Sequence, residues 1–323
     1  MDFSIITSPI SNAYGSVQEF LFTNVLGPIL YQLNLVSLAE DVYDGMDWFL
    51  FGCIQIILIV LVLRTWERWA PAEAQEQFSK SSRADVFYTL FHRLGIFHGL
   101  IFIALSGFFF QIDSLLHDFR FDRLNVESWW PGITSIPVIS FVIYLVLLDF
   151  VEYLYHRASH TFNWWWQLHA LHHSQTVMTA WSDNRNHVLD DIMRASILSF
   201  FALLFGVPPG QFIALIALSQ FTQSWQHANI KVSLGAAKYF LISPMYHRMH
   251  HAVGYGHEAK GKPGVLGGCN FGILFPWWDM VFRTVIFPDK IYPTGVRNLT
   301  VSKNIFAQQW QGLVHAFRAV IAK

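Results

Sequence analysis

Ten histidines fall within residues 156–251, and eight of them form three short boxes. The boxes read HRASH at 156–160, HALHH at 169–173 and HRMHH at 247–251. Because residues three and four apart share one face of a helix, with Cβ atoms about 5–6 Å apart, each box can direct two or three imidazoles to one point. Neutral imidazole is a common ligand of iron, zinc and copper. One ion does not need so many nitrogens, so the pattern indicates a pair of metal ions.

The composition places these histidines in a membrane protein. Hydrophobic residues make up 53% of the chain and charged residues 13%, against roughly 25% charged residues in soluble domains. Four apolar runs approach the length that crosses about 30 Å of hydrocarbon. They are residues 48–63, 94–110, 133–150 and 193–222. Pro208 and Pro209 interrupt the last run and predict two helices joined as a hairpin.

The distribution of Lys and Arg predicts the orientation of the chain. Residues 1–47 contain none, whereas residues 64–93 contain five. By the positive-inside rule the connection at 64–93 is cytoplasmic and the N-terminus lies outside. The run at 133–150 then returns the chain to the cytoplasm just before His156, and a hairpin at 193–222 keeps the following residues on that side. The predicted fold is all-α, a multi-pass transmembrane helical bundle with a cytoplasmic-face helical cap that carries the histidine boxes.

Two carboxylates share a helix face with the first box. If the third transmembrane helix continues to residue 160, one face about 80° wide carries Asp149, Glu152, His156 and His160. Imidazoles that bind a metal usually donate their second N–H to a carboxylate or a carbonyl oxygen. Asp149 and Glu152 are therefore candidate catalytic residues that orient the ligands, or ligands themselves. A salt bridge to Arg157 or another basic group is the alternative.

The second and third boxes follow helix-start signals. Asn163 precedes the second box, and Ser243 with Pro244 precedes the third. Asn and Ser are favoured N-caps, and Pro is favoured in the first helical turn. Adjacent histidines at 172–173 and 250–251 differ by about 100° around a helix axis. One imidazole of each doublet can therefore bind one ion while its neighbour binds the other.

At these residues the chain resembles a known family. The spacings H-x3-H, H-x2-H-H and H-x2-H-H occur in that order, with apolar helices before the first box and between the second and third. This arrangement resembles the fatty acid hydroxylase/sterol desaturase superfamily of integral-membrane di-iron oxygenases. The resemblance covers roughly residues 140–287 and includes the segments DFVEYLYHRASH, LHALHHS, YHRMHH and GGCNFGILFPWWDMVFRT.

The resemblance implies a set of metal ligands. They are His156, His160, His169, His172, His173, His187, His227, His247, His250 and His251. His187 matches the family's R-x-H-P-L-E segment, although Val188 replaces its proline and Asp190 replaces its glutamate. His227 matches the isolated histidine that follows the hairpin. Asn270, in the CNFG segment, resembles an asparagine close to the metals and is a further candidate catalytic residue.

The resemblance also implies an activity and a division of the chain. The activity is that of a membrane-bound non-haem di-iron oxygenase that hydroxylates or desaturates an unactivated C–H bond of a lipid, such as a sterol or a fatty acyl lipid. Residues 1–139 would form an N-terminal membrane region with an interfacial or re-entrant segment at 20–37 and the first transmembrane helices. Residues 140–287 would form the catalytic region, and residues 288–323 a C-terminal cytoplasmic tail.

The implied reaction needs cofactors and partners. Two iron ions would use O2 as co-substrate, and zinc can occupy such a site after purification because affinity generally favours zinc over ferrous iron. The two electrons must come from outside, since the sequence has no dinucleotide fingerprint, flavin motif or iron–sulfur cysteine set. The implied donor is a ferredoxin or a cytochrome b5-type protein. A net charge of −1 gives no reason to expect nucleic acid as a partner.

Three other functions also use clustered histidines. A zinc-dependent membrane hydrolase would activate zinc-bound water, but after His257 and Glu258 the H-E-x-x-H pattern fails, because it has no second histidine. A non-enzymatic metal-binding or transport protein would need polar residues along its spans, and the runs 48–63 and 133–148 have almost none. A haem protein with two axial histidines would leave most of the clustered histidines unexplained.

Overall fold

The computed structural model describes residues 4–74 and 80–321. Most of this chain is helical. The helices before the histidine boxes are α1 (Ser4–Leu21), α2 (Gly27–Gln32), α3 (Ala39–Leu58), α4 (Arg64–Trp69), α5 (Lys80–Arg93) and α6 (Ile96–Asp118). Two π-helical turns, Phe22–Leu26 and Ile59–Leu63, continue α1 into α2 and α3 into α4. The segment predicted as interfacial or re-entrant, 20–37, is therefore helical over much of its length.

The remaining described chain adds seven helices and one small sheet. The helices are α7 (Pro137–Ser159), α8 (Asn163–His173), α9 (Val188–Phe205), α10 (Pro209–His227), α11 (Pro244–His250), α12 (Trp277–Val281) and α13 (Ile305–Ile321). Strands β1 (Glu258–Ala259) and β2 (Lys262–Leu266) pair antiparallel between α11 and α12. The fold is thus mostly helical, and the all-α prediction misses this hairpin. Gly261 and Gly264 adopt positive φ angles of 72° and 78° there, which suits a turn and opposes a helix.

Among the described residues, three helical segments are long and apolar enough to cross a membrane. They are Val36–Trp69, Ile96–Asp118 and Pro137–Ser159. These segments overlap the first three apolar runs of the sequence, so the chain has the helices of an integral membrane protein. The fourth run forms α9 and α10. Gly206 ends α9 in a left-handed conformation and Pro209 begins α10, so the chain turns where the two prolines of the sequence predict.

A hydrophobic core lies among α7, α9 and α10. Its buried side chains are Tyr144, Leu148 and Val151 from α7, Leu198 and Ala202 from α9, Leu215 and Ile216 from α10, and Val126. Burial of apolar surface stabilises such a core by roughly 25 cal/mol per Å² where the surface would otherwise face water. Because this core holds the middle of α7 in place, it also fixes the position of the last turn of α7, which carries His156.

Glu67 connects α4 to the loops that surround the histidines. Its buried Oε1 accepts hydrogen bonds from the backbone N–H groups of Ala180 and Asn229, both at 2.8 Å. Apolar contacts beside these bonds are made by Ile59, Leu63, Ala180, Ala228 and Ile230. The first membrane span therefore fixes both the loop that follows α8 and the residues that follow α10.

Candidate metal centre

Nine of the predicted histidines form two adjacent clusters in the part of the chain that the structure describes. Cluster A consists of His156, His160, His169, His173 and His250. Cluster B consists of His172, His227, His247 and His251. Within each cluster the candidate ligand atoms lie within 4.8 Å of one another, and all nine side chains are at most 7% exposed. The rings of His173 and His251 stack with centroids 4.3 Å apart, so the two clusters are in contact.

Four helices deliver these imidazoles. His156 lies on α7 and His160 directly follows it, and α8 carries His169, His172 and His173. His227 ends α10, and α11 carries His247 and His250, with His251 directly after it. Each doublet divides its rings between the clusters, as the 100° step of a helix predicts. α8 and α11 therefore contribute to both clusters at once.

The spacing of the ring nitrogens fits metal coordination. In cluster B the Nε2 atom of His227 lies 3.2 Å from the Nε2 atoms of both His172 and His247. In cluster A the Nε2 atoms of His173 and His250 lie 3.1 Å apart. Imidazole nitrogens bind zinc at about 2.0–2.1 Å, so two ligands at right-angled or tetrahedral positions stand about 2.8–3.4 Å apart. Both clusters match that separation.

The outer ring nitrogens of four histidines are held by hydrogen bonds. Three of them donate from Nδ1 to backbone carbonyl oxygens: His156 to Phe271 at 2.9 Å, His250 to Cys269 at 2.8 Å and His227 to Gln223 at 2.8 Å. His169 donates from Nδ1 to the Asp190 carboxylate at 2.9 Å. A neutral ring that donates from Nδ1 keeps its lone pair on Nε2, which is the nitrogen that points into the cluster.

Several inward nitrogens have no protein hydrogen-bond partner among the described residues. They include Nε2 of His169 and one ring nitrogen of His160, whose two nitrogens both lack a partner. Leaving a buried polar atom unpaired costs about 1–3 kcal/mol. A metal ion would bind these lone pairs and remove that cost. The residues present therefore fit a pair of ions, one in cluster A and one in cluster B.

Burial favours the neutral form of seven of these imidazoles, which lie outside the three candidate spans, by lowering their pKa values. It is the largest cause that lowers the pKa of His250, to about 3. Burial, together with the neighbouring imidazoles, also lowers the pKa values of His172, His173, His247 and His251 well below 6.5. A neutral imidazole has the free lone pair that a metal needs, so the site does not depend on deprotonation at neutral pH.

The structure places His187 outside both clusters. Its Nε2 donates to the carbonyl oxygen of Gln309 at 2.8 Å, and its Nδ1 accepts from the N–H of Leu189 at 3.1 Å. Both ring nitrogens are thus used in bonds that cap α9 and attach α13. This position does not agree with the prediction of a tenth metal ligand, and the physical reason is that neither nitrogen is free.

Asp149 and Glu152 also bond elsewhere. Asp149 accepts from the N–H of Leu274 at 2.8 Å and from Nε1 of Trp278 at 2.9 Å. Glu152 forms an ion pair with Arg194, with one contact of 2.8 Å. Asp149 therefore attaches the loop that precedes α12 to α7, and Glu152 attaches α9 to α7. The salt bridge that the sequence left open as an alternative is present for Glu152, although its partner is not Arg157.

Asn270 supports the site through its neighbours. Its side chain accepts from the N–H of Ile286 at 2.7 Å and donates to the carbonyl oxygens of Ile286 and Tyr246, at 2.8 and 3.1 Å. Its backbone has a positive φ of 61°, which asparagine tolerates better than most residues. The residues on either side of it, Cys269 and Phe271, present the carbonyl oxygens that orient two ligands. Asn270 thus shapes the loop that holds those oxygens.

Asp190 is a functional residue that sequence reasoning did not assign. It lies in the first turn of α9 and accepts from His169, from the hydroxyl of Tyr155 and from Nε1 of Trp165. It performs the role that Asp149 and Glu152 were expected to play. The signal was present in the segment NRNHVLDD, where Asp190 follows His187 by three residues.

Asp279 is a second such residue. Its carboxylate accepts from the N–H groups of Phe271 and Gly272 at 2.9 and 2.7 Å and from the hydroxyl of Tyr246 at 2.9 Å. A Cβ atom on Gly272 would stand 2.7 Å from the carbonyl oxygen of Phe275, so the loop closes tightly around this carboxylate. Asp279 therefore fixes the segment whose carbonyl oxygens orient His156 and His250.

Comparison with known proteins agrees with this architecture. The fatty acid hydroxylase family model matches residues 141–284. An ornithine lipid hydroxylase of Rhizobium tropici is 27% identical over 52% of this chain and 48% of its own length. An alkylglycerol monooxygenase of Xenopus tropicalis is 27% identical over 61% of this chain and 40% of its own. A Delta(7)-sterol 5(6)-desaturase of Gibberella zeae is 24% identical over 50% of this chain and 45% of its own.

The chain thus spans about half or less of the length of these curated relatives. No solved structure matches it significantly. The matched region contains all the histidines of clusters A and B, together with Asp190 and Asp279. Residues 141–284 thus match the fatty acid hydroxylase family, and the three relatives support a place in the fatty acid hydroxylase/sterol desaturase superfamily.

Proposed function

We propose that this chain is a membrane-bound non-haem di-iron oxygenase that hydroxylates or desaturates an unactivated C–H bond of a lipid. The observation that supports the proposal most strongly is the pair of buried clusters, whose Nε2 atoms approach to 3.1–3.2 Å. Both clusters consist of histidines alone within the described residues. The relatives named above are a lipid hydroxylase, a lipid monooxygenase and a sterol desaturase, so lipid oxidation is the chemistry they have in common.

A ferrous pair, when bound, supplies the chemistry that turns O2 into an oxidant for a C–H bond. Hydroxylation consumes one O2, two electrons and two protons, and it yields an alcohol and one water. Desaturation consumes the same reactants and yields an alkene and two waters. The protein residues hold nine imidazoles in fixed orientations and exclude bulk water from them. An external donor of the ferredoxin or cytochrome b5 type supplies the electrons.

A cavity of about 570 Å³ between α6, α9 and α10 is suited to the substrate. Its apolar wall includes Ile101, Leu105, Phe109, Leu198, Ala202 and Phe212. Its polar wall includes Asn184, Asn186 and Gln223. The carbonyl oxygen of Gln223 accepts a hydrogen bond from His227 of cluster B, and Asp191 on the wall is adjacent in sequence to Asp190. At Gln223 the cavity wall therefore contacts a histidine of cluster B directly.

The charges on the cavity wall favour a substrate whose inserted part is uncharged. Each described Arg and Asp side chain there already has a polar partner. The contacts are Arg93 with Asp183, His92 with Asp191, Arg194 with Glu152, and Arg123 with Asp113. A phosphate or carboxylate of the substrate would therefore have to displace the partner of one of these arginines. An alkyl chain, a ring system or a neutral hydroxyl or ether group suits the cavity better.

Comparative lipid mass spectrometry tests the proposal. Cells that express the chain should contain a lipid with one more oxygen atom or two fewer hydrogen atoms than cells without it. The product should require O2 and should be absent with His172→Ala, which removes a cluster B nitrogen. Unchanged lipids in cells that make the inserted, iron-loaded protein would contradict the proposal. Zinc in a purified sample would show that the clusters bind metal without identifying the working ion.

A further inference from the structure

Helix α13 has a stripe of exposed apolar side chains along one side. The most exposed are Phe306 at 83%, Trp310 at 68%, Phe317 at 65% and Ile321 at 63%. At about 100° per residue these four fall within about 60° around the helix axis. Large apolar side chains exposed singly are ordinary, but a contiguous row of them marks a surface that another phase or molecule covers.

The stripe is not the face that packs on the protein. α13 packs along α8 through a different side, where Gln308, Gly312 and Ala316 are buried. Gly312 is in such close contact that an added Cβ would stand 2.6 Å from Cδ2 of His187. A third side carries Gln311, His315 and Arg318, centred about 120° from the stripe. The helix therefore has one protein-facing, one apolar and one polar side.

Hydrogen bonds fix α13 at the level where the membrane helices begin. Tyr88 donates to Gln308 at 2.9 Å and accepts from Gln309 at 3.0 Å, and it lies eight residues before the span that starts at Ile96. Gln309 also accepts from the N–H of Val188, the first residue of α9. α8, against which α13 packs, starts four residues after the span that ends at Ser159. Two of these contacts lie within eight residues of the ends of candidate spans and the third is at the start of α9, so α13 is held close to the ends of the membrane helices.

We propose that α13 lies in the membrane–water interface, with its apolar stripe in the lipid and its polar side toward water. A helix with separate apolar and polar sides, aromatic residues in the apolar stripe and a basic residue on the polar side is typical of such a position. The occupant of the stripe is the bilayer itself, because the helix is already fixed at the boundary of the spans. A different side of α13 contacts α8, which carries His169, His172 and His173. α13 therefore connects the bilayer surface to the helix that holds these three histidines.

Fluorescence quenching in vesicles tests this placement. The full-length chain with Cys53→Ala would carry a single environment-sensitive label at Phe317→Cys or, as the matched neighbour, at Arg318→Cys. Cys269 is 3% exposed and stays unlabelled. In phosphatidylcholine and phosphatidylglycerol vesicles, a lipid spin-labelled near its headgroup should quench the label at 317 at least about twofold more than the label at 318. Iodide in the water should show the opposite order.

Two results would overturn the proposal. Equal access of iodide to both labels would place the stripe in water. Protection of the 317 label from both quenchers, with a disulfide between two copies of Phe317→Cys, would mean that a second copy of the chain covers it. Phe306→Cys at the other end of the stripe repeats the measurement, and metal content of each variant shows that the protein is folded.

Discussion

His172 and His173 are neighbours in sequence but belong to different clusters. The same holds for His250 and His251 on α11. A single doublet therefore ties the two metal positions together, because moving its helix would displace one ligand of each ion. In the proposed two-metal site this coupling would make the two ions a unit, and α8 and α11 would have to be held as firmly as the ligands themselves.

Removing one member of a doublet should affect metal binding at both positions. His172→Ala and His173→Ala are each expected to lower activity by more than about 100-fold. Mutating a residue that only hydrogen-bonds to a metal ligand already lowers metal affinity or activity about 10–100-fold, and loss of a ligand should cost more. Metal analysis should find less than two ions per chain in each variant. Thr161→Ala, an exposed position just before α8, is the control and should keep both ions. Full activity of either histidine variant would exclude that residue as a ligand.

Asp190→Asn tests the carboxylate that holds His169. The amide oxygen can still accept from Nδ1, but it lacks the negative charge that raises the basicity of the ring. We expect metal affinity or activity to fall about 10–100-fold while the protein remains folded. Asp289→Asn, at an exposed aspartate, should have no effect. A fall in thermal stability without a change in metal affinity would assign Asp190 a structural role only.

At the residue scale, local spacing predicted which histidines of each box lie together, but it did not predict which carboxylate contacts them. Asp149 and Glu152 do share a helix with His156, yet their bonds go to Leu274 and Arg194, which are distant in sequence. A helical wheel shows which residues share a face, but it does not show which other chain segment meets that face. The carboxylate that reaches a ligand, Asp190, comes from α9.

For the helices, too, the sequence predicted some features and missed others. The apolar runs predicted the centres of three spans, whereas the helices extend further at one or both ends. The first span continues to Trp69 because Glu67, although charged, finds backbone partners in Ala180 and Asn229. Ser243 caps α11 as predicted, by accepting from Tyr246 N–H. Asn163 does not cap α8, because it lies inside the helix and accepts from Gln167 instead.

Gly312→Val tests the contact between α13 and the metal-binding elements. The added Cβ would stand 2.6 Å from His187, so α13 must shift away from α8 and α9. Overpacking of this kind typically costs about 1–3 kcal/mol, and we expect a lower unfolding temperature in detergent. Gly107→Ala on α6, where nothing lies within 4 Å of an added Cβ, should not lower it. Equal unfolding temperatures for the two variants would show that α13 contributes little to stability.

The whole molecule combines a membrane cavity with a metal centre built from four separate segments. Spacing within the sequence could not predict that His227, at the end of α10, meets the third box of α11, although the family resemblance implied that His227 is a ligand, because this contact depends on how the helices pack together. Nor could they predict the cavity, which arises between α6, α9 and α10. Both features are properties of tertiary packing. Box spacing predicts the ligands, whereas packing determines which substrate reaches them.

Filling the cavity should change which lipids are oxidised. Ala195→Phe adds a ring to the wall of the cavity and should disfavour long or bulky substrates while metal content stays the same. Lipid mass spectrometry should then show products that shift toward shorter chains, or a loss of product. Ala236→Phe, at an exposed position away from the cavity, is the matched control. An unchanged product profile with Ala195→Phe would place the substrate elsewhere.

The orientation of the whole chain gives the last prediction. The connection between α6 and α7 contains Arg120 and Arg123, whereas residues 231–323 contain eleven Lys and Arg, so the positive-inside rule predicts that the candidate metal centre lies on the cytoplasmic side. In intact cells a membrane-impermeant maleimide should label Ser135→Cys, on the connection between α6 and α7, and should not label Lys260→Cys, in the hairpin after α11. Both should react after lysis. Ser135 precedes α7, whereas Lys260 follows α11, so the two positions should lie on opposite sides of the membrane. The reverse labelling pattern would place the candidate metal centre, its electron donor and the polar side of α13 on the outer face.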